Sequence, residues 1–240
     1  CLGLPALLWV NLVLMLGIVL NAFLVPEASY HPAHDAHLPI GEIVRQPRVK
    51  ALLVACFAMS AAHGALNIFY SIFLTGHGYS KSVVGGLWTL GVLAEIAVFF
   101  YMSAVMRRFS LRTILTVCFA VGVVRFLLIG GCASSLVLLA FAQLMHGLTF
   151  GAFHAAAIAA VNRWFPGKTR SRGQALYSSV SFGAGGLVGG LISGWGWEHL
   201  GGEWTFALSS AYALAGLLVV LIWVRDRSGS AGKLSSGKNP

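Results

Sequence analysis

The sequence predicts an all-α integral membrane protein with seven transmembrane helices. Three observations carry this. Only 10% of the 240 residues are charged, 58% are hydrophobic, and the mean hydropathy is +0.81. A soluble domain carries about 25% charged residues, so this chain cannot coat itself for water. The charges that exist are also unevenly spread, leaving apolar runs long enough to cross a hydrocarbon core of about 30 Å, which takes roughly 20 residues of helix. Finally, the cations cluster in alternate connections, as they do in membrane proteins whose Lys/Arg-rich loops stay in the cytoplasm.

The runs fall in order along the chain. Leu2 to Val25 holds no Asp, Glu, Lys or Arg. It has no basic leading region, so it reads as a span and not a cleaved signal. Ala51 to Gly76 is also uncharged, and Ser82 to Met106 carries only Glu95. Thr113 to Asn162 covers 50 residues with Arg125 as its sole charge. That is too long for one crossing, and Gly130 to Ser135 offers a turn inside it. Gly173 to Trp197 and Trp204 to Val224 complete the seven. The runs are continuous and not alternating, so they are helices, which satisfy their own backbone groups in lipid, and not barrel strands.

The net charge of +9 invites a nucleic-acid reading, but the positions of the cations oppose it. Arg45, Arg48 and Lys50 precede the second span. Arg107, Arg108 and Arg112 follow the third. Arg163, Lys168, Arg170 and Arg172 follow the fifth, and Arg225, Arg227, Lys233 and Lys238 follow the last. These clusters share one side, and the opposite connections hold only Lys81. The expected topology therefore has the N-terminus of this chain outside and its C-terminus in the cytoplasm.

The organisation expected is a transmembrane helix over 1–25, a central cytoplasmic loop over 26–50, a six-helix unit over 51–224 and a cytoplasmic tail over 225–240. The loop contains the longest connection, Pro26 to Pro47. Together with the odd number of spans, it points to the C-terminal portion of a longer protein. His31, His34, Asp35 and His37 in that loop have no fixed geometry for a metal, and no metal or cofactor is expected. Cys56 and Cys118 fall within spans, and Cys1 and Cys132 make no disulfide framework. The sixth span carries Gly183, Gly185, Gly186, Gly189, Gly190 and Gly194. Small residues four apart let helix backbones approach in lipid, either as fixed packing or as a sliding face.

The ionisable groups inside the membrane point to function. A charge at mid-membrane costs about 2.5–3.5 kcal/mol on insertion scales. At 1.5 Å per residue, Glu95 lies about 18 Å from the level of Arg107, Arg125 about 20 Å from Arg112, and His63 about 20 Å from Lys50. His146, about 17 Å from the turn at Ser135, shares that level. Side chains beside them form stripes at helical spacing: Gln143, His146, Phe150 and His154; His63, Asn67, Tyr70 and Ser71; Trp88, Gly91 and Glu95. Polar and aromatic groups on the faces of several spans imply an internal cavity, although Tyr70, Trp88 and Phe150 equally suit core packing. No metal-ligand helix motif, phosphate loop or nucleophile motif appears, so an enzyme is not expected.

These residues resemble the lactose-permease-like branch of the major facilitator superfamily, which also holds phenylpropionate permeases. LAEIAVFFYMSAVMRRFSLR (Leu93–Arg112), GVVRFLLIG (Gly122–Gly130), AQLMHGLTFGAFHAAA (Ala142–Ala157) and SAAHGALNIFYSIFL (Ser60–Leu74) carry the likeness. It implies that the last six helices form one half-bundle of a major facilitator fold and that the first closes an N-terminal half absent from this chain. It implies a proton-coupled symporter of the bacterial inner membrane. Proton-coupling roles fall on Glu95, Arg125 and His146. Substrate contacts fall on His63, Asn67, Tyr70, Trp88, Gln143, Phe150 and His154.

Two departures matter. Thr149 stands where the sugar permease has a proton-carrying glutamate, which leaves Glu95, a histidine or the other half as the proton site. MRRFSLR lacks the glycine and aspartate of the superfamily's usual loop motif. The expected partners are protons, lipid and a small aromatic carboxylate, received by Arg125 and the histidines, with an oligosaccharide or nucleoside as the runner-up. A carboxyl beside a guanidinium in lipid is poised between neutral acid and carboxylate, so Glu95 and Arg125 are expected to meet. Seven spans also fit a receptor or retinal pigment, but Trp204–Val224 has no lysine for a Schiff base. A channel or structural bundle leaves the shared level of four ionisable groups unexplained.

Overall fold

The computed structural model describes residues 4–24 and 39–224, and every described element is helical. Residues 1–3, 25–38 and 225–240 lie outside the described part, so Cys1 and the histidines at 31, 34 and 37 do too. The chain divides into two units, Cys1–Asp35 and Ala36–Pro240. In the first, helix α1 (Leu4–Leu24) is a 21-residue apolar helix.

The second unit holds six helices long and apolar enough to cross a membrane: Pro47–Gly76, Lys81–Arg108, Leu111–Gly131, Leu136–Trp164, Gly167–His199 and Gly202–Trp223. These are the last six of the seven expected spans. The apolar stretch described in α1, Leu8–Leu24, is shorter than these six. Residues 26–50, read as loop, are helical near their end, with α2 (Ile40–Arg45) followed by a helix that Pro47 opens. Pro at the first helical position has no N–H to waste there and a φ already suited to the helix.

Three spans are uninterrupted: α5 (Lys81–Arg108), α6 (Leu111–Gly131) and α11 (Gly202–Trp223). The other three are broken, and the breaks sit near the ionisable residues. The first of the six divides at His63 into α3 (Pro47–Ala62) and α4 (Gly64–Gly76). The fourth consists of α7 (Leu136–Leu144), a π-helical segment over Gly147–Ala152, and α8 (Phe153–Trp164). The fifth runs through α9 (Arg170–Ser178), a π segment over Ser179–Gly185, and α10 (Gly186–His199). Wide π turns inside α-helices are frequent at functional sites.

Serines start three of these helices. Val83 N–H donates to Ser80 Oγ, Thr113 N–H to Ser110 Oγ and Leu138 N–H to Ser135 Oγ. Each bond satisfies an N–H that the first helical turn leaves without a partner. The turn expected at Gly130 to Ser135 is there, between the end of α6 at Gly131 and the start of α7 at Leu136.

Helix α11 packs along α6 and α3, and α5 along the π segment of the fourth span. Glycine makes the tightest approaches possible. A Cβ at Gly64 would stand 2.4 Å from the backbone of Gly189, and one at Gly189 would stand 2.5 Å from Ala61. The glycine stripe therefore divides in two: Gly185 and Gly189 face α3 and α4, whereas Gly183 and Gly194 meet nothing. The outward surface is apolar, with Phe100 81% and Val137 78% exposed. Such a surface suits lipid or a protein partner and not water.

Candidate functional site

The four ionisable residues on one level come together in the second unit. Arg125, on α6, is fully buried. Its Nε donates to Ala142 O at 2.9 Å, in the last turn of α7, where carbonyls lose their regular helical partners. Its Nη1 donates to Thr149 Oγ1 at 3.0 Å and to His63 Nε2 at 3.3 Å, and Nη2 donates to Gln143 Oε1 at 3.3 Å. Four of the five guanidinium N–H groups are thus taken, all by neutral acceptors.

Glu95 lies on α5, and its Oε1 is 2.7 Å from His146 Nε2. Its side chain is 16% exposed and that of His146 8%. The expected direct meeting of Glu95 with Arg125 is not found. Among the described residues the carboxylate pairs with His146, and Arg125 has no carboxylate at ion-pair distance. The reason lies in the fourth span. Gln143 and His146 both press against Gly91 of α5, where a Cβ would stand 3.0 Å from Gln143 Oε1 and 3.3 Å from His146 Cδ2. Gln143 in turn holds the guanidinium, so it separates the arginine from α5. Gly147 and Gly151 complete this contact, meeting the Ala94 carbonyl and the Glu95 backbone.

The stripes hold to different degrees. His146, Phe150 and His154 share a face, with ring centroids 5.2 Å apart for the first pair and 4.4 Å for the second. His154 Nδ1 is hydrogen-bonded to Tyr177 of α9 and packs on Phe182. On the first broken span His63 and Tyr70 are buried, while Asn67 and Ser71 are exposed. Tyr70 meets Trp88 edge-on at 5.4 Å, and Trp88 Nε1 donates to Ser71 Oγ at 3.1 Å. Sequence reasoning missed Thr149 as a holder of Arg125, although its place three residues after His146 was legible. It also missed Tyr177, for which helical spacing gives no signal.

Three buried side-chain atoms here have no hydrogen-bond partner among the described residues: Tyr70 Oη, Gln143 Nε2 and His146 Nδ1. A buried polar group without a partner costs about 1–3 kcal/mol. Two of them sit beside the polar contacts already described, since Gln143 Oε1 accepts from Arg125 and His146 Nε2 faces Glu95, and the Tyr70 ring meets Trp88. Among the described residues no cluster of metal-ligating side chains occurs.

Six helices long and apolar enough to cross a membrane, with Arg125, His63 and His146 buried among them, fit one half-bundle of a major facilitator fold. The comparison with known families agrees: the MFS_1 like family matches residues 3–208, and the chain belongs to it. Among curated proteins, the chain is 29% identical over 206 residues to the "Probable 3-phenylpropionic acid transporter" of Escherichia coli (strain K12). That match covers 84% of this chain and 53% of the relative, so the chain spans about half the length of the protein it resembles.

Proposed function

We propose that this chain supplies the C-terminal half of a proton-coupled symporter that imports a small aromatic carboxylate, such as a phenylpropionate-like acid, across a bacterial inner membrane. In this reading α1 belongs to an N-terminal half, and the basic connections face the cytoplasm. The substrate lies between the halves, which rock about it to give alternating access.

The observation that carries the proposal is the 2.7 Å contact between Glu95 and His146 beside an arginine that, among the described residues, is held only by neutral acceptors. With Glu95 ionised, the charges of Glu95 and Arg125 cancel and a substrate anion would add an uncompensated negative charge in lipid. With Glu95 or His146 carrying an added proton, the cluster is net positive and a carboxylate restores neutrality. Uncompensated charge at this depth costs several kcal/mol, so proton and anion favour each other's binding. One proton carried with one carboxylate is electroneutral, so the proton concentration gradient drives uptake, and each further proton would add about 2.3 kcal/mol per 100 mV of membrane potential.

Tyr70 Oη, Gln143 Nε2 and His146 Nδ1 would meet the carboxylate, and Trp88, Phe150 and the Tyr70 ring would flank the aromatic group, with Asn67 and His154 at its margins. The printed name of the Escherichia coli relative supports this substrate class. The test is medium pH. Cells expressing the full-length gene product, lightly buffered and given 3-phenylpropionate, alkalinise the medium as protons enter with substrate. A flat trace with 3-phenylpropionate and other aromatic acids, in cells that alkalinise the medium with a sugar, would overturn the substrate class.

A further inference from the structure

The hydrogen bonds around His63 fix its chemical form. Arg125 can only donate, so His63 Nε2, 3.3 Å from Arg125 Nη1, is the ring nitrogen without a proton. Its other nitrogen, Nδ1, lies 2.9 Å from the carbonyl of Met59, which can only accept. Nδ1 therefore carries the single ring proton. The ring is neutral, with both nitrogens occupied.

Placement explains how this arises. His63 is the junction residue between α3 and α4, so it reaches back to Met59 O one turn earlier. The ring is held edge-on by Phe126 of α6 at 5.3 Å and by Phe150 of the fourth span at 5.9 Å. The charged and titratable groups that face it are Arg125 from α6 and His146 from the fourth span, at 5.9 Å between ring centroids, with His154 further along that span. No carboxylate lies against it among the described residues.

We infer that His63 is a positioning residue, whose bare Nε2 pins Arg125 beside the Glu95–His146 pair and which takes no part in carrying the proton. The inference rests on the transport reading for its consequence, and on the hydrogen bonds alone for the state of the ring. A second proton would have to sit on Nε2, directly against the Arg125 N–H. Without the acceptor, Nη1 loses one of its two partners, and the guanidinium is held only by Ala142 O, Thr149 and Gln143 among the described residues.

Two measurements test this in the full-length protein reconstituted in lipid. Nitrogen-15 NMR of labelled histidine, with the His63 signals assigned by their loss in His63→Gln, reads the ring directly. The expected result is one protonated and one bare nitrogen, unchanged as pH is lowered from about 8 to about 5, the range in which histidine ordinarily titrates. Both nitrogens protonated at the acid end would overturn the inference, whatever the substrate proves to be. Uptake of 3-phenylpropionate gives the second measurement. His63→Gln, whose amide oxygen still accepts from Arg125, keeps uptake within about threefold of wild type with an unchanged pH profile, and His63→Leu loses tenfold or more (about 1.4 kcal/mol per factor of ten). A His63→Gln variant that exchanges substrate but no longer accumulates it would make His63 a proton carrier and end the proposal. Wild-type protein that ignores 3-phenylpropionate would instead count against the substrate reading, and the NMR result would still decide the state of His63.

Discussion

Glu95 Oε1 and His146 Nε2 face each other at 2.7 Å, while the neighbouring Arg125 is bound, among the described residues, only by Ala142 O, Thr149, His63 and Gln143. The acidic and basic charges of the site thus stand next to each other without touching. A direct carboxylate–guanidinium pair would be satisfied internally. Here the carboxylate faces a histidine, and among the described residues no carboxylate contacts the guanidinium.

Arg125→Lys tests that arrangement. A lysine carries the same charge but lacks the planar fork that reaches four acceptors in different directions. The expected outcome is a loss of uptake of tenfold or more, with protein still present in the membrane. A lysine variant with wild-type uptake would mean that charge alone suffices.

Gly91→Ala probes the packing behind the pair. The new Cβ would stand 3.0 Å from Gln143 Oε1 and 3.3 Å from His146 Cδ2, so both side chains must shift. The site is disturbed without removing any of its polar groups. The apparent KM for substrate is expected to rise several-fold with little change in expression. Gly86→Ala on the same helix, where a Cβ meets nothing, serves as the neutral comparison.

Close helix contact through the sixth predicted span gives a stability prediction. A Cβ at Gly189 would collide with Ala61 at 2.5 Å, whereas one at Gly183 meets open space. Overpacking of this kind costs about 1–3 kcal/mol. Gly189→Ala is therefore expected to lower the melting temperature of the detergent-solubilised protein, and Gly183→Ala to leave it unchanged. Equal effects would remove the packing assignment.

The spans were legible in the sequence because lipid imposes a simple rule: few charges over about 20 residues. Their depth relation was legible too, since a fixed rise per residue places Glu95, Arg125, His63 and His146 on one level. What the sequence withheld was direction around each helix. The level of Glu95 and Arg125 says nothing of Gln143 and His146 lying between them, which depends on how closely Gly91 lets the fourth span approach α5. The break at His63 and the π segment over Gly147–Ala152 also alter the local turn. Asn67 follows His63 by one regular turn, its N–H donating to His63 O at 3.0 Å, yet Asn67 is exposed while His63 and Tyr70 are buried. Thr149, noticed first as a missing glutamate, is one of the groups that hold Arg125.

The most direct test of the central claim is accumulation of 3-phenylpropionate by cells carrying Glu95→Gln in the full-length protein, measured beside equilibrium exchange. The substitution keeps the shape and removes the protonatable oxygen that faces His146. The account predicts that uphill accumulation is lost while exchange persists; accumulation equal to wild type, with the same alkalinisation of the medium, would contradict it.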